Sequence, residues 1–334
     1  MSPEYKVSIE GLSSIAIITM QIPDLSDPDK RAQLPPSQHK PLAAAMLKGC
    51  AQLEDPLAVM QIMTAVYLAD LTGKQNPKMN TSHFTQSDIT TFRKTLDTLS
   101  TKSNSFDLGP EVLTLRGLFL ELAGQKLAAR KSYELAIQRG DFGYHPSNRH
   151  PMQLPLTTPW NALGYLLKRA QDPQSHAEAK SYFAQGALQG DDPLSYYELA
   201  QFYDRTDTLW LQYTSKAAAS GHRQAAVDLA DFYQEVSTLD SPILRDNVAM
   251  RKALAWLRTW RRDSTGVMAR EWLRTASIVG DRASTVRLAE IYEKDGDREG
   301  AEECWKRVEE EEGQKGMGGV RGTKRKVVGS KSSS

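Results

Sequence analysis

The chain has 334 residues, 40% of them hydrophobic and 25% charged, a balance that excludes a wholly disordered protein and allows a substantial core. Its 42 lysines and arginines stand against 41 acids for a net charge of +1, too weak a field to hold a polyanion, so nucleic acid is not an expected partner. The two cysteines, Cys50 and Cys304, lie at opposite ends of the sequence, form neither a metal-ligand pair nor a disulfide framework, and fit a reducing compartment.

Residues 1–36 read as an N-terminal segment and linker. Their one apolar run, Ile15 to Ile22, is shorter than the ~20 residues of a membrane span. A basic n-region and a cleavage site are missing, and Glu4, Glu10 and Asp24 interrupt any presequence pattern. Cytoplasm or nucleus is the expected location, joined by the mitochondrion if further residues precede this N-terminus. Pro23 to Ser37 reads as linker. Residues 37–108 read as an N-terminal helical region with a degenerate repeat between Pro41 and Leu71, followed by a polar loop from Thr72 to Ser87.

From Glu111 onward the sequence repeats itself. Helices end at Gly140, Gly190, Gly221 and Gly280, each with a small residue four positions earlier: Ala136, Gly186, Ala217 and Ala276. Glycine just past a helix tolerates the left-handed conformation that closes the last carbonyls, and the small residue admits a neighbouring helix. Tyr182, Tyr213 and Trp272, eight residues before three of these glycines, are expected on the same face as packing bulk. After each glycine comes a second signature, a small residue followed by large apolar ones: Ala200 with Phe202 and Tyr203, Ala230 with Phe232 and Tyr233, and Ala289 with Ile291 and Tyr292. Gly117 and Gly164 fit the same template upstream, Ala65 more weakly. The link from glycine to signature residue spans ten residues from Gly190 to Ala200 and nine from both Gly221 to Ala230 and Gly280 to Ala289, so the two helices are expected to pair as a hairpin. Asp55-Pro56, Gly109-Pro110, Thr158-Pro159, Asp192-Pro193 and Ser241-Pro242 have the form of helix starts.

The segment Asp192 to Gly221, with its Lys216 to Gly221 stretch KAAASG, resembles a Sel-one-like repeat, a relative of the tetratricopeptide repeat whose pattern is A-x-x-L-G-x-x-Y followed by K-A-A-x-x-G. The resemblance implies an all-α fold, an α-solenoid of antiparallel helix hairpins over residues 109–312. It also implies binding of other proteins, with no catalytic residue, cofactor or metal. Cysteine-rich members of the family assemble respiratory complexes, and a chain with two cysteines does not resemble them. The spacings of 50 residues from Gly140 to Gly190 and 59 from Gly221 to Gly280, against 31 from Gly190 to Gly221, imply insertions near 142–156 and 236–265.

Other motifs carry little chemistry. The run Gly316 to Lys324 lacks the spacing of a phosphate loop. His145 and His150 read as loop histidines without a third ligand. Asp191 and Asp192 read as a helix cap, and Glu309 to Glu312 as a solvated helix end. Asn80-Thr81-Ser82 reads as a chance sequon. Residues 313–334 read as a disordered, basic Gly/Ser-rich tail with Lys324-Arg325-Lys326 as a short candidate import signal. The second insertion predicts an amphipathic helix from Asp246 to Arg262, with Met250, Ala253, Leu254, Leu257 and Trp260 as an apolar stripe and Arg251, Lys252, Arg258, Arg261 and Arg262 on the polar side. Two readings stay open. Either Trp256 and Trp260 pack on the flanking hairpins with the arginines in water, or Trp256, Arg258, Trp260, Arg261 and Arg262 contact an acidic partner or an anionic membrane surface. The functional expectation is a non-enzymatic scaffold or assembly adaptor. The second reading is a localised factor that docks to a membrane surface, or acts in the nucleus, through residues 246–262 or the tail.

Overall fold

The computed structural model describes residues 7–22, 38–73, 79–102, 108–140, 153–170, 172–238, 241–260 and 264–316. The linker 23–37, His145, His150, most of the first insertion, Arg261, Arg262 and the tail beyond Gly316 lie outside the described residues. The helices are α1 (Ile9–Gln21), α2 (His39–Gln52), α3 (Pro56–Thr72), α4 (Gln86–Thr101), α5 (Gly109–Leu122), α6 (Lys126–Gly140), α7 (Pro159–Lys168), α8 (Pro173–Leu188), α9 (Pro193–Ala200), α10 (Thr208–Ala219), α11 (Arg223–Ser237), α12 (Pro242–Asp246), α13 (Val248–Trp260), α14 (Ser264–Ile278), α15 (Arg282–Asp295) and α16 (Arg298–Gly316), with a short 3-10 turn at Thr81–His83. The fold is all-α. By its contacts the chain divides into two units, residues 1–199 and 200–334, a boundary inside the segment read from the sequence as one continuous solenoid.

In the first unit α1 packs on α2 and α3, α3 on α4 and α5, α5 on α6, and α7 on α8. The apolar run at the N-terminus is therefore part of a helix, α1, which buries Ala16, Ile17 and Met20. Its Ser13 hydroxyl donates to Asp55 at 2.7 Å, and Asp55 also caps α3 by accepting from the Ala58 amide at 2.9 Å. The proline starts differ among themselves. Pro56, Pro159 and Pro242 follow their N-cap residues, but Thr158 and Ser241 make no side-chain cap, and α5 already begins at Gly109, one residue before Pro110.

Helices pair both across glycine links and from a signature helix to a helix that follows it. In α5 and α6 a Cβ on Gly117 would lie 2.7 Å from Tyr133 Cδ1, and in α7 and α8 a Cβ on Gly164 would lie 2.6 Å from Phe183 Cζ. The small residue of a signature helix thus receives the ring of the helix that follows it. Across the glycine links α6 meets α7, α10 meets α11 and α14 meets α15. The ring that enters the groove is also one residue later than expected. Tyr182, Tyr213 and Trp272 are half-buried, whereas Phe183, Thr214, Leu273 and Tyr133, seven residues before their glycines, are fully buried. Each residue advances a helix by about 100°, so a shift of one moves a side chain from the groove to its flank.

The helix stops fall into two kinds. Gly221 and Gly280 adopt φ of 86° and 87°, and the amides after them, of His222 and Asp281, reach back to the carbonyls of Ala217 and Ala276 at 3.0 and 2.9 Å. Only glycine takes this left-handed backbone without strain. Gly190 is required for a different reason. Its φ is not positive, the left-handed residue being Asp191 at 44°, and a Cβ on Gly190 would stand 2.9 Å from the Gly186 carbonyl and 3.1 Å from Trp160. Gly140 is the last residue of α6.

Asp192 does more than cap α9. One carboxylate oxygen accepts from the Leu194 amide at 3.0 Å. The other accepts from the Thr158 hydroxyl at 2.8 Å, the Trp160 indole N–H at 2.8 Å and the Asn161 amide at 2.7 Å. Ser195 then donates to Asn161 at 2.8 Å, so a buried polar network ties the start of α9 to the start of α7.

In the second unit α11 packs directly on α14, with α12 and α13 looped out between them, and α15 pairs with α16. Ala230, Leu273, Leu288, Ala289 and Cys304 form the shared core. Ala217 and Ala230 have no exposed surface. Replacing either by leucine is expected to overpack its groove and cost about 1–3 kcal/mol, lowering the thermal midpoint followed by circular dichroism. An unchanged midpoint in both variants would refute this packing.

Candidate functional site

The repeat-packing residues are distributed over both units, and apart from the helix stops Gly140, Gly221 and Gly280 they are buried. Gly117 and Gly164 lie under aromatic rings, and Ala200, Ala217, Ala230 and Ala289 are buried. Of the candidate contact residues, Trp256, Arg258 and Trp260 belong to α13, in the second unit. This helix begins at Val248, two residues later than expected, because Asn247 adopts an extended backbone. Asn247 caps α13 by accepting from the Met250 amide at 2.9 Å, and its own amide donates to the Thr206 carbonyl at 2.7 Å, pinning the insertion to the loop before α10.

Met250, Leu254 and Leu257 form the buried stripe of α13, which packs on α10, α12 and α14, while Ala253 is exposed. Among the described side chains of α13 these three are the buried ones. Arg251, Lys252, Ala255 and Thr259 are exposed, and Trp256 is 62% exposed one turn from Lys252. Trp256 therefore does not take the packed position on the flanking hairpins: most of its side chain is exposed. The side chains of Arg258 and Trp260 lie outside the described residues. The sequence from Val248 to Trp260 contains no acid. Just before it, the Asp246 carboxyl is held below its ordinary pKa by the hydrogen bond from Arg245, so that acid is engaged by its neighbour. The result is a basic helix face with a large aromatic on it.

Among the described residues no helix is long and apolar enough to cross a membrane. The fold and this face define a class, an all-α protein of repeated helix hairpins with a projecting basic insertion. No protein-family model matches the sequence, and no curated protein matches it. Among solved structures the chain is similar to a protective antigen of uropathogenic Escherichia coli displaying an SLR fold, at 16% identity over 91% of this chain and 62% of that one, with a TM-score of 0.42. It is also similar to a Sel1 repeat protein from Oxalobacter formigenes, at 14% identity over 90% of this chain and 82% of that one, with a TM-score of 0.33.

Proposed function

We propose that the protein is a non-enzymatic interaction scaffold that holds other proteins, with α13 as a contact element. The observation that supports this reading is Trp256, 62% exposed on a helix around which α11 and α14 close directly. An insertion carrying an exposed tryptophan beside Arg251 and Lys252 has the composition of a binding hot spot. An acidic protein surface is its complement.

The test is affinity purification of the full chain from cells with identification of the associated proteins, repeated with Trp256→Ala and with Arg258, Arg261 and Arg262 together changed to Glu. Partner affinity is expected to fall about 30-fold in Trp256→Ala, the loss of a typical tryptophan anchor, with helicity unchanged. Unchanged partner binding in both variants would remove α13 from the interface. Selective loss of binding to vesicles containing phosphatidylserine would assign α13 to a membrane surface instead.

A further inference from the structure

The first unit holds a half-open cleft of about 620 Å³, in the range of built binding sites. It lies among Tyr67 and Leu71 of α3, Leu118, Glu121 and Leu122 of α5, and Thr157 through Arg169 around α7. Its charges are layered. The acids are the less exposed partners: the Glu121 side chain on the cleft wall is 15% exposed, and that of Glu198, which pairs with Lys168, 10%. The cations sit at the rim, with Lys168 at 37% and Arg169 at 63%. Each acid is fixed from behind by a tyrosine, Glu121 accepting from Tyr133 at 3.0 Å and Glu198 from Tyr165 at 2.9 Å. Arg169 reaches over to pair with Glu121, and Lys168 donates to Glu198 at 2.9 Å. The wall is apolar at Leu71, Leu118, Leu122 and Ala162. Beside them the Thr157 hydroxyl is buried and has no hydrogen-bond partner.

We infer that this cleft receives an arginine or lysine side chain of a protein partner, whose cation replaces Arg169 on Glu121. Four features select a cation. The least exposed charge on the wall is negative and immobilised. Lys168 is the last residue of α7 and Arg169 its C-cap, so the negative end of the helix dipole opens onto the cleft. Leucines and the Tyr67 ring offer a surface for an aliphatic stem. Glu121 accepts from Tyr133 and Arg169, and a carboxylate has about four acceptor positions, so capacity remains for the several N–H groups of a guanidinium. An anion would meet cations already paired, Arg169 with Glu121 and Lys168 with Glu198. Arg169 is the exposed member of the pair, 63% against 15% for Glu121, so its guanidinium passes into water when another cation takes its place. Arg169 thus acts as a resident occupant that keeps Glu121 neutralised until a partner's cation arrives. This site belongs to the first unit and is independent of α13.

The experiment uses the full chain and three small probes, the N-acetyl methylamides of arginine, citrulline and glutamate, with binding read by ligand-observed NMR titration. Arginine is expected to bind, with citrulline, its neutral isostere, weaker by about tenfold and glutamate weaker still. Arg169→Ala is expected to tighten arginine binding several-fold, since it removes the internal competitor, a gain that a purely structural role for Arg169 would not produce. Glu121→Gln is expected to abolish the preference for arginine over citrulline, its fold checked by circular dichroism. Arginine binding that is absent, or unchanged or weakened by Arg169→Ala, overturns the inference whether or not Glu121→Gln folds, as does a preference for the glutamate probe.

Discussion

Replacing Asp192 by alanine is expected to cost about 3–5 kcal/mol and to lower the thermal midpoint of the protein by about 10 °C. Three side-chain donors, on Thr158, Trp160 and Asn161, converge on one oxygen of this carboxylate within 2.7 to 2.8 Å, and all three residues are buried. Alanine removes the acceptor and leaves its donors without water. Each stranded donor costs roughly 1–3 kcal/mol, discounted because the network relaxes as a unit, and the α9 cap contributes about 1 more. Asp191→Ala, at the adjacent exposed residue, is the control and should stay near wild type. Thermal melts of the two variants separate the readings. A midpoint for Asp192→Ala equal to that of Asp191→Ala would show that Asp192 is only the surface cap its sequence context suggests.

Gly186→Ala is expected to destabilise by about 2–3 kcal/mol although alanine is the better helix former, while Gly49→Ala is expected to stabilise by about 0.5–1 kcal/mol. Both glycines lie inside helices, α8 and α2, and differ in what a methyl group would meet. At Gly186 it would fall well inside van der Waals contact with Trp160 Cδ1 and the Ser195 hydroxyl, and 2.5 Å from Trp160 Nε1. The indole cannot retreat, because it is fully buried and its N–H is held by Asp192. At Gly49 nothing lies within 4 Å, so only the intrinsic preference acts. Urea denaturation of both variants tests the pair. Shifts of the same sign would mean that helix propensity, and not the approach of α7 to α8, decides these positions.

The repeat was legible because its marks are local. A glycine that stops a helix at Gly221 or Gly280, a small residue one turn before it, and a near-constant link to the next signature residue all follow from backbone conformation and helical period, which neighbouring residues dictate. The pairing of helices follows from these marks, the all-α solenoid was what the family resemblance implied, and the inserted amphipathic helix with Met250, Leu254 and Leu257 on its inner stripe follows from its hydrophobic period.

Helical period says which residues share a face but not which helix that face meets. Tertiary packing alone decided that Tyr133 and Phe183 enter the grooves over Gly117 and Gly164 while Tyr182 stays at the flank, and that α11 closes on α14 across the insertion. The same holds for Trp256, whose exposure depends on how much of α13 its neighbours cover, and for Asp192, whose three donors come from residues more than thirty positions earlier. The cleft at Glu121 was wholly illegible. Glu121, Tyr133 and Glu198 come from helices other than the one that carries Tyr165 and Lys168 and is capped by Arg169, and burial, a property of the assembled fold, sets which charge is the less exposed.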